Sequence, residues 1–309
     1  MQILFYADGS HADHWLSELQ KVLPLADVRV WAEGDHAPAD YAVVWKPPAA
    51  MLRGRDDLKA IFNLGAGVDA ILQLGADLPM QVPVVRLDDA GMAVQMAEYV
   101  TYAVLRYFRR FDEFDAQSRD HQWRFLKPRD KSDCAIGILG MGVLGSRIAQ
   151  ALQHFNFTVR GWSRSRKQLP GVQSFAGSDE LPSFLAQSQV LVNVLPLTEE
   201  TRGILNRSAL AALPKGAYVI NVARGAHLVE RDLLDLLDEA HLAGAALDVF
   251  DQEPLPSDHP YWRDPRITIT PHIAALTLRG DSVRQIAAKL RQMERGLPVA
   301  GLVDRQKGY

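Results

Sequence analysis

The chain of 309 residues contains one cysteine, Cys134, which excludes an internal disulfide and a cluster of cysteine thiolates around a metal. A formal net charge of −3 argues against a nucleic-acid-binding protein, which usually carries a basic face. No apolar run approaches the roughly 18 residues of a membrane span, and neither HExxH nor GxSxG occurs in the sequence. We therefore expect no metal, no nucleic-acid partner and no membrane contact, and a lone cysteine fits a cytoplasmic location.

The chain does contain alternating strand and helix patterns, at a length sufficient for two domains. Apolar strand patterns occupy residues 3–6, 28–31, 41–45, 58–64 and 84–87. This alternation predicts a parallel sheet covered by helices, whose ligands bind beyond the carboxyl ends of the strands. Gly65, Ala66 and Gly67 directly follow the fourth strand pattern, so they form either a binding loop or a plain turn.

A glycine-rich turn organises the middle of the chain. Gly140, Gly142 and Gly145 follow an apolar strand pattern and run into an apolar helical pattern. This context is the one that a dinucleotide-binding GxGxxG turn requires, because the glycines permit the turn, the approach of a pyrophosphate and the packing of helix on strand. The amino end of the helix supplies unpaired N–H donors to the phosphates. The predicted cofactor-binding residues here are Gly140, Met141, Gly142, Val143, Leu144 and Gly145.

The loop after the second nucleotide strand, predicted at residues 157–162, indicates the cofactor. Sites that prefer NAD place an acidic residue there to bind the ribose hydroxyls. This chain instead has Ser163, Arg164, Ser165 and Arg166. Arginine and serine can hold a 2′-phosphate through charge-assisted hydrogen bonds, whereas a carboxylate repels it. The loop therefore favours NADPH over NADH, with an exposed basic turn as the alternative.

The remaining patterns predict the domain organisation. Further strands are predicted at residues 190–195, 217–222, 244–249 and 267–270. A helix over residues 92–111 connects the early units to the nucleotide-binding part, and a last helix over 277–295 returns to the first domain. We expect a substrate-binding domain from residues 1–97 and 278–309, and an NAD(P)-binding domain from residues 98–277.

Three reactive side chains follow late strands: Arg224, Glu253 and His272. Reduction of a 2-keto acid needs a cation for the carboxylate and a proton donor for the carbonyl oxygen. Arg224 can grip the carboxylate as a planar fork, and His272 can donate the proton, because histidine titrates near working pH. Glu253 beside His272 would stabilise the imidazolium and orient the ring. Taken singly, the three could also be a structural arginine, a surface carboxylate and a histidine with structural hydrogen bonds.

At these residues the chain resembles the D-isomer-specific 2-hydroxyacid dehydrogenases over essentially its whole length. The resemblance rests on the glycine turn and on the segments LPLTEETRG (195–203), NVARG (221–225), DVFDQEP (248–254) and PH (271–272). It implies an α/β protein with two doubly wound parallel-sheet domains, a Rossmann-type cofactor domain and a flavodoxin-like substrate domain. It also implies a homodimer.

The same resemblance implies roles for individual residues. Arg224 would bind substrate and act in catalysis, Glu253 would partner the acid/base His272, and Asp248 would lie near the nicotinamide. Backbone N–H groups of Leu64, Gly65, Ala66 and Gly67 would hold the carboxylate. Further cofactor contacts are expected from Leu195, Pro196, Val222, Ala223 and His272.

Within the family, the segments WKPP (45–48), DDAGMAVQMAEY (88–99) and WSRSR (162–166) look like those of bacterial reductases of small 2-keto acids. Trp45 would then help to wall the substrate pocket, or it is a buried aromatic at a strand end. We predict reduction of glyoxylate to glycolate and of hydroxypyruvate to D-glycerate with NADPH. The alternatives are a dehydrogenase for a bulkier 2-keto acid such as phenylpyruvate, and a binding protein that senses a dinucleotide.

Overall fold

A computed structural model describes residues 1–7 and 12–308. Its internal contacts divide the chain into two units, Met1–Met92 with Thr277–Tyr309, and Ala93–Leu276. The sequence-based boundaries were placed at 97/98 and 277/278, a few residues further along the chain. The first structural boundary falls at the start of a long helix, Met92–Phe108, whose inward face packs in the core of the second unit.

The first unit is built on a five-stranded parallel sheet. Its strands are β1 (Gln2–Ala7), β2 (Asp27–Val30), β3 (Tyr41–Trp45), β4 (Ala60–Asn63) and β5 (Val84–Val85), in the order β2-β1-β3-β4-β5. Its helices are α1 (Ala12–Val22), α2 (Ala49–Leu52) and α3 (Asp69–Leu72). The central strands are apolar on both faces because helices cover both sides, which is the flavodoxin-like arrangement.

The C-terminal segment belongs to this first unit. The last α-helix, Arg279–Glu294, is anchored there by Glu294, whose carboxylate accepts a hydrogen bond from the Tyr41 hydroxyl at 2.7 Å. The buried ammonium of Lys289 lies 3.0 Å from the Asp88 carboxylate and donates to the Arg86 carbonyl at 2.8 Å. These bonds between distant parts of the sequence make the unit discontinuous along the chain.

The second unit contains a seven-stranded parallel sheet in the order β8-β7-β6-β9-β10-β11-β12. The strands are β6 (Ile136–Leu139), β7 (Val159–Ser163), β8 (Val172–Ala176), β9 (Val190–Asn193), β10 (Ala217–Asn221), β11 (Leu242–Leu247) and β12 (Ile267–Ile269). Strand order reverses between β6 and β9, the point at which a doubly wound sheet of this type binds its dinucleotide.

Helices flank this sheet on both faces, through two separate apolar clusters. They are α4 (Met92–Phe108), α5 (Phe111–Arg119), α6 (Val143–His154), α7 (Gly177–Leu185), α8 (Arg207–Ala211) and α9 (Glu230–Asp238), and α10 (Arg279–Glu294) follows in the first unit. The helix predicted over residues 92–111 is wrong at its end. Arg110 adopts a left-handed conformation with φ 62° and separates α4 from α5, since its guanidinium turns to Glu113 and to the Lys127 carbonyl.

Three further features of the described residues concern the thiol, metal ligands and membrane-spanning helices. Burial raises the pKa of the Cys134 thiol to about 11, so this thiol stays protonated and is a poor nucleophile. Over residues 1–7 and 12–308, no three histidine, cysteine, aspartate or glutamate side chains cluster as metal ligands. In the same ranges, none of the helices has both the length and the apolar character needed to cross a bilayer.

Candidate active site

The glycine turn connects β6 to α6 and leaves one face of the main chain open. Gly140 has φ 104°, and a side chain on Gly145 would lie 1.9 Å from the Gly140 carbonyl oxygen. Gly142 is exposed at the start of α6, and a Cβ atom there would have no neighbour within 4 Å. Gly140 and Gly145 therefore need to be glycine, for the turn and for packing. Gly142 instead leaves space for a phosphate beside the N–H groups at the start of α6.

The residues between these glycines have different surroundings. Met141 is buried, and its side chain lies against Gly161 of β7, where a Cβ would come within 2.5 Å of the Met141 sulfur. Val143 is exposed and Leu144 is half-buried in the first turn of α6. Of the predicted cofactor residues, Met141 thus supports the sheet under the turn, while Val143 lies on its open side.

Hydrogen bonds within the basic loop after β7, and from it to β8 and α7, hold this loop in place. The Trp162 indole donates to the Gly177 carbonyl at 2.8 Å, and the Ser163 hydroxyl donates to the Ser165 carbonyl at 2.8 Å. Arg166 donates to the Ser174 carbonyl and to the Glu180 carboxylate. Both side chains of this ion pair are solvent-exposed, and Arg164 and Ser165 are exposed beside it. The loop therefore presents cations and hydroxyls at the carboxyl end of β7.

Two buried asparagines shape the loops that follow β9 and β10. The Asn193 side-chain amide donates to the Asn221 side-chain oxygen at 3.0 Å. Asn193 accepts from the Leu195 N–H at 3.2 Å, and Asn221 donates to the Arg224 carbonyl at 3.0 Å. One amide pair at the carboxyl end of the sheet thus holds two segments. The first contains Leu195 and Pro196, and the second contains Val222 and Ala223.

Arg224 begins a short 3-10 helix, Gly225–His227, at the end of β10. Its guanidinium donates to the Ala223 carbonyl at 2.7 Å. A Cβ on Gly225 would lie only 1.8 Å from the Phe250 carbonyl carbon. Glycine is required here because the loop after β10 packs directly on the main chain of the loop after β11.

The predicted acid/base pair is formed in the structure. Nδ1 of His272 lies 2.8 Å from a carboxylate oxygen of Glu253, whose other oxygen accepts from the Phe250 N–H at 3.1 Å. The side chains of His272 and Glu253 are 44% and 37% exposed. Because Nδ1 contacts Glu253, Nε2 is the ring nitrogen that can meet a ligand. A hydrogen bond from Nδ1–H to the carboxylate fixes the orientation of the ring and its tautomer.

Asp248 fixes the main chain around His272. One carboxylate oxygen accepts from the Thr270 hydroxyl at 2.6 Å and the Ile273 N–H at 2.8 Å, and the other accepts from the Ala274 N–H at 2.8 Å. The His272 N–H donates to the Asp248 carbonyl at 2.8 Å. These bonds hold the backbone of His272 in the left-handed region, with φ 55°, a conformation that residues other than glycine rarely adopt without such support.

A tyrosine extends this arrangement from α4. Thr270 uses its hydroxyl proton on Asp248, so the Tyr99 hydroxyl, 2.6 Å away, donates to Thr270. Burial raises the pKa of Tyr99 to about 12, which keeps the phenol protonated for this bond. Tyr99, Thr270 and Asp248 form a chain of hydrogen bonds that ends at the His272 loop.

The strands bring these groups to one edge of the sheet. Arg224 follows β10, Asp248 and Glu253 follow β11, and His272 follows β12, and these three strands are neighbours. The glycine turn and the basic loop follow β6 and β7 at the same, carboxyl edge. A guanidinium, a carboxylate-paired imidazole and a phosphate-binding turn on one edge are the parts that nicotinamide-dependent reduction of a keto acid requires.

The first unit has its own polar loop at the carboxyl ends of β3 and β4. The buried Asn63 amide donates to the carbonyls of Gly65 and Gly67 at 2.9 and 2.8 Å. A Cβ on Gly65 would lie 2.4 Å from the Trp45 ring, so the indole packs directly on this loop. Trp45 and the predicted carboxylate-binding loop are therefore adjacent.

Leu64 departs from the prediction. Its N–H donates to the Val44 carbonyl at 2.9 Å, and its side chain is buried. This sheet hydrogen bond removes the Leu64 N–H from the groups that were expected to bind a carboxylate. Gly65 is also buried, whereas Ala66 and Gly67 are partly exposed.

Several residues of the site were not identified from the sequence. They are Asn63, Tyr99, Glu180, Asn193, Asn221, His227 and Thr270. A signal was present for two of them, since Asn193 and Asn221 are polar residues that interrupt the apolar runs at 190–195 and 217–222. Tyr99, Glu180 and Thr270 contact the site through residues far away in the chain, so local patterns do not reveal them. Asn63 and His227 bond to residues within four positions, but nothing in their local sequence marks these bonds.

The family model described as the NAD binding domain of the D-isomer specific 2-hydroxyacid dehydrogenases matches residues 101–274. The chain belongs to this family. A relative from Serratia proteamaculans (strain 568), named glyoxylate/hydroxypyruvate reductase A, is 54% identical, and the match covers 100% of both chains.

Solved structures agree with this placement. A D-isomer specific 2-hydroxyacid dehydrogenase from Xanthobacter autotrophicus Py2, in complex with NADPH and MES, is 42% identical with a TM-score of 0.94, over 100% of this chain and 99% of that one. An NADPH-dependent glyoxylate/hydroxypyruvate reductase from Sinorhizobium meliloti, in complex with NADP and sulfate, is 35% identical with a TM-score of 0.93, over 100% and 99%. Fold and family were therefore predicted correctly from the sequence.

Proposed function

We propose that this protein is an NADPH-dependent reductase of small 2-keto acids, which converts glyoxylate to glycolate and hydroxypyruvate to D-glycerate. The observation that carries the proposal is the 2.8 Å pair of His272 and Glu253, on the strand edge that also carries Arg224 and the glycine turn. The full-length relative named glyoxylate/hydroxypyruvate reductase A supports the choice of substrate.

The residues divide the reaction between them. When bound, the nicotinamide supplies a hydride to the carbonyl carbon. His272 donates the proton from Nε2 to the carbonyl oxygen, so that the products are the 2-hydroxy acid and the oxidised cofactor. Glu253 accepts from Nδ1–H throughout and thereby orients Nε2. Arg224 binds the carboxylate through two N–H donors and polarises the carbonyl.

We assign substrate binding to residues 1–97 and 278–309, and cofactor binding to residues 98–277. In the first part, Gly65, Ala66 and Gly67 supply N–H groups for the substrate carboxylate. Trp45 limits the size of the group on the other side of the substrate's keto carbon. The Asn63 amide supports this role, because it holds the carbonyls of Gly65 and Gly67 on its own side of the loop.

For the cofactor, we assign the pyrophosphate to the glycine turn and the 2′-phosphate to the basic loop. Replacing Arg164 or Arg166 with alanine is expected to lower kcat/KM for NADPH by about 10- to 100-fold, because a hydrogen bond to a charged group contributes about 1.5–3 kcal/mol. The value for NADH should change little. Steady-state kinetics with both cofactors measures this difference.

Lys167 provides the matched control, since it is an exposed cation of the same loop that is not assigned to the site. Lys167→Ala should leave the preference for NADPH unchanged. Equal losses with NADPH and NADH in the arginine variants would show that the loop does not read the 2′-phosphate.

The reaction itself is tested by following NADPH oxidation with glyoxylate, hydroxypyruvate, pyruvate and phenylpyruvate in parallel. We expect the highest kcat/KM with glyoxylate and hydroxypyruvate. A preference for phenylpyruvate would indicate a dehydrogenase for bulkier substrates. Tight NADPH binding without turnover of any 2-keto acid would indicate a dinucleotide sensor.

We also propose that the protein is a cytoplasmic homodimer. Five large aromatic side chains on α4, on α5 and in the segment that follows are exposed, namely Tyr102, Phe111, Phe114, Trp123 and Phe125. Exposed apolar surface on this scale favours a protein partner, and we propose a second copy of the chain. Light scattering should give twice the mass of one chain for the wild type, and a lower mass for the Trp123→Ser/Phe125→Ser double variant. A wild-type protein with the mass of one chain would exclude the dimer.

A further inference from the structure

The imidazole of His227 joins the loop after β9 to the main chain of Arg224. We propose that His227 is a positioning residue. Its ring fixes the distance between the Arg224 main chain and the Pro196 carbonyl, and so holds the substrate-binding guanidinium at a constant position relative to the cofactor-binding loop. The proposal rests on the functions assigned above to Arg224 and Pro196. His227 itself contacts neither substrate nor cofactor in this scheme.

The geometry of the ring is specific. His227 is 0% exposed, and Nε2 lies 3.2 Å from the Pro196 carbonyl oxygen. Nδ1 lies 3.3 Å from the Arg224 nitrogen, in the direction of its N–H, and 3.1 Å from the Arg224 oxygen. One small ring thus reaches two loops that follow neighbouring strands of the sheet.

The hydrogen-bond partners determine the tautomer. If Nε2 carries the proton, it donates to Pro196 while Nδ1 accepts from the Arg224 N–H, and both ring nitrogens are satisfied. If Nδ1 carries the proton, it donates to the Arg224 carbonyl at 3.1 Å, but a bare Nε2 then faces the Pro196 oxygen at 3.2 Å and Nδ1 no longer accepts from the Arg224 N–H. A proton on Nε2 therefore gives the ring two hydrogen bonds and a proton on Nδ1 gives it one, so we assign the proton to Nε2.

The surroundings of the ring make this link rigid. The Pro196 carbonyl also accepts from the Thr201 hydroxyl at 2.7 Å. The His227 carbonyl accepts from the Leu205 N–H at 2.9 Å, and the Ala226 carbonyl accepts from the Gly203 N–H at 2.9 Å. The main chain on both sides of the imidazole is therefore fixed, so that the ring transmits the position of one loop to the other.

Burial without these bonds would make histidine an unfavourable choice. A polar ring that leaves water must recover its hydrogen bonds within the protein, and an apolar side chain would fill the same space without that requirement. The two bonds to main-chain atoms of the site are what distinguishes histidine from leucine at this position.

Substitution of His227 by asparagine or by glutamine tests its two hydrogen bonds separately. In His227→Asn the amide oxygen can take the place of Nδ1 as acceptor for the Arg224 N–H. In His227→Gln the amide nitrogen can take the place of Nε2 as donor to Pro196. His227→Leu removes both bonds and keeps the space filled.

We expect His227→Leu to raise KM for glyoxylate and Kd for NADPH, each by about three- to tenfold, the effect of one neutral hydrogen bond. His227→Asn should restore KM for glyoxylate, and His227→Gln should restore Kd for NADPH, which fluorescence titration measures. His241→Leu is the matched control, because His241 precedes β11 at the opposite edge of the same sheet. This control should leave both constants unchanged.

Equal changes in the three His227 variants, or unchanged constants in His227→Leu, would overturn the proposal. A second readout needs no turnover. Long-range 1H–15N correlation spectra of the wild type should show the proton of His227 on Nε2, and a proton on Nδ1 would contradict the link. Wild-type turnover of 2-keto acids tests the proposed function separately, so a failure of one is distinguishable from a failure of the other.

Discussion

Replacement of His272 is expected to lower kcat by about 10²- to 10⁴-fold, the contribution of a well-placed general acid. KM for the 2-keto acid should change less, since His272 acts on the carbonyl oxygen and not on the carboxylate. His272→Asn is the better variant for this test than His272→Ala. Position 272 has φ 55°, and asparagine tolerates the left-handed region, so the loop keeps its conformation.

The chain offers a matched control in a second histidine–carboxylate pair. His259 lies 3.1 Å from a carboxylate oxygen of Glu230 and is not assigned to the site. His259→Asn should therefore keep kcat near the wild-type value. Comparable losses in the two variants would show that His272 has no special part in the reaction.

The partner of His272 should affect kcat. Glu253→Gln keeps a hydrogen-bond acceptor opposite Nδ1, where the carboxylate lies at 2.8 Å, but removes the negative charge. The amide can also turn its NH2 group toward Nδ1, so the ring is oriented less firmly, and kcat should fall while KM changes less. An unchanged kcat in the variant would remove Glu253 from the mechanism.

Replacement of Arg224 should have the second large effect. Arg224→Ala removes two charge-assisted donors, each contributing about 1.5–3 kcal/mol, so kcat/KM for glyoxylate should fall by about 10²- to 10⁴-fold. KM should rise, because the carboxylate loses its partner, and kcat should fall, because the carbonyl is no longer polarised. Arg224→Lys should recover little, since an ammonium cannot form the planar fork.

Arg207→Ala is the control for this variant. Arg207 lies in the same unit and forms an exposed ion pair with Glu239, so its loss removes a cation without touching the site. It should leave kcat/KM unchanged. An unchanged KM for glyoxylate in Arg224→Ala would contradict the assignment of the carboxylate to Arg224.

Much of this architecture follows from the sequence, because parallel strands have continuous apolar runs. β3 was predicted with its observed bounds, Tyr41–Trp45. β8, Val172–Ala176, was missed, since it is an edge strand with only two large apolar residues. α7 was missed as well, because Pro182 within the helix interrupts the expected pattern.

The site shows the same limit more sharply. Arg224, Glu253 and His272 were selected from their motifs and strand positions, and the sheet order explains why they follow neighbouring strands. The bonds that hold these residues join Asp248 to Thr270 and Asn193 to Asn221. Such pairs depend on which strands become neighbours, and no local pattern specifies that.

The close approach at Gly225 has a consequence for engineering this enzyme. A single added methyl group would overlap the Phe250 carbonyl carbon at 1.8 Å, so the Arg224 loop and the Glu253 loop can only be redesigned together. Attempts to broaden the substrate range by library mutagenesis should therefore leave residues 224–225 and 250–253 untouched. Trp45, which we propose limits the size of the substrate, belongs to the other sheet, so its substitution needs no matching change at Gly225 or Phe250.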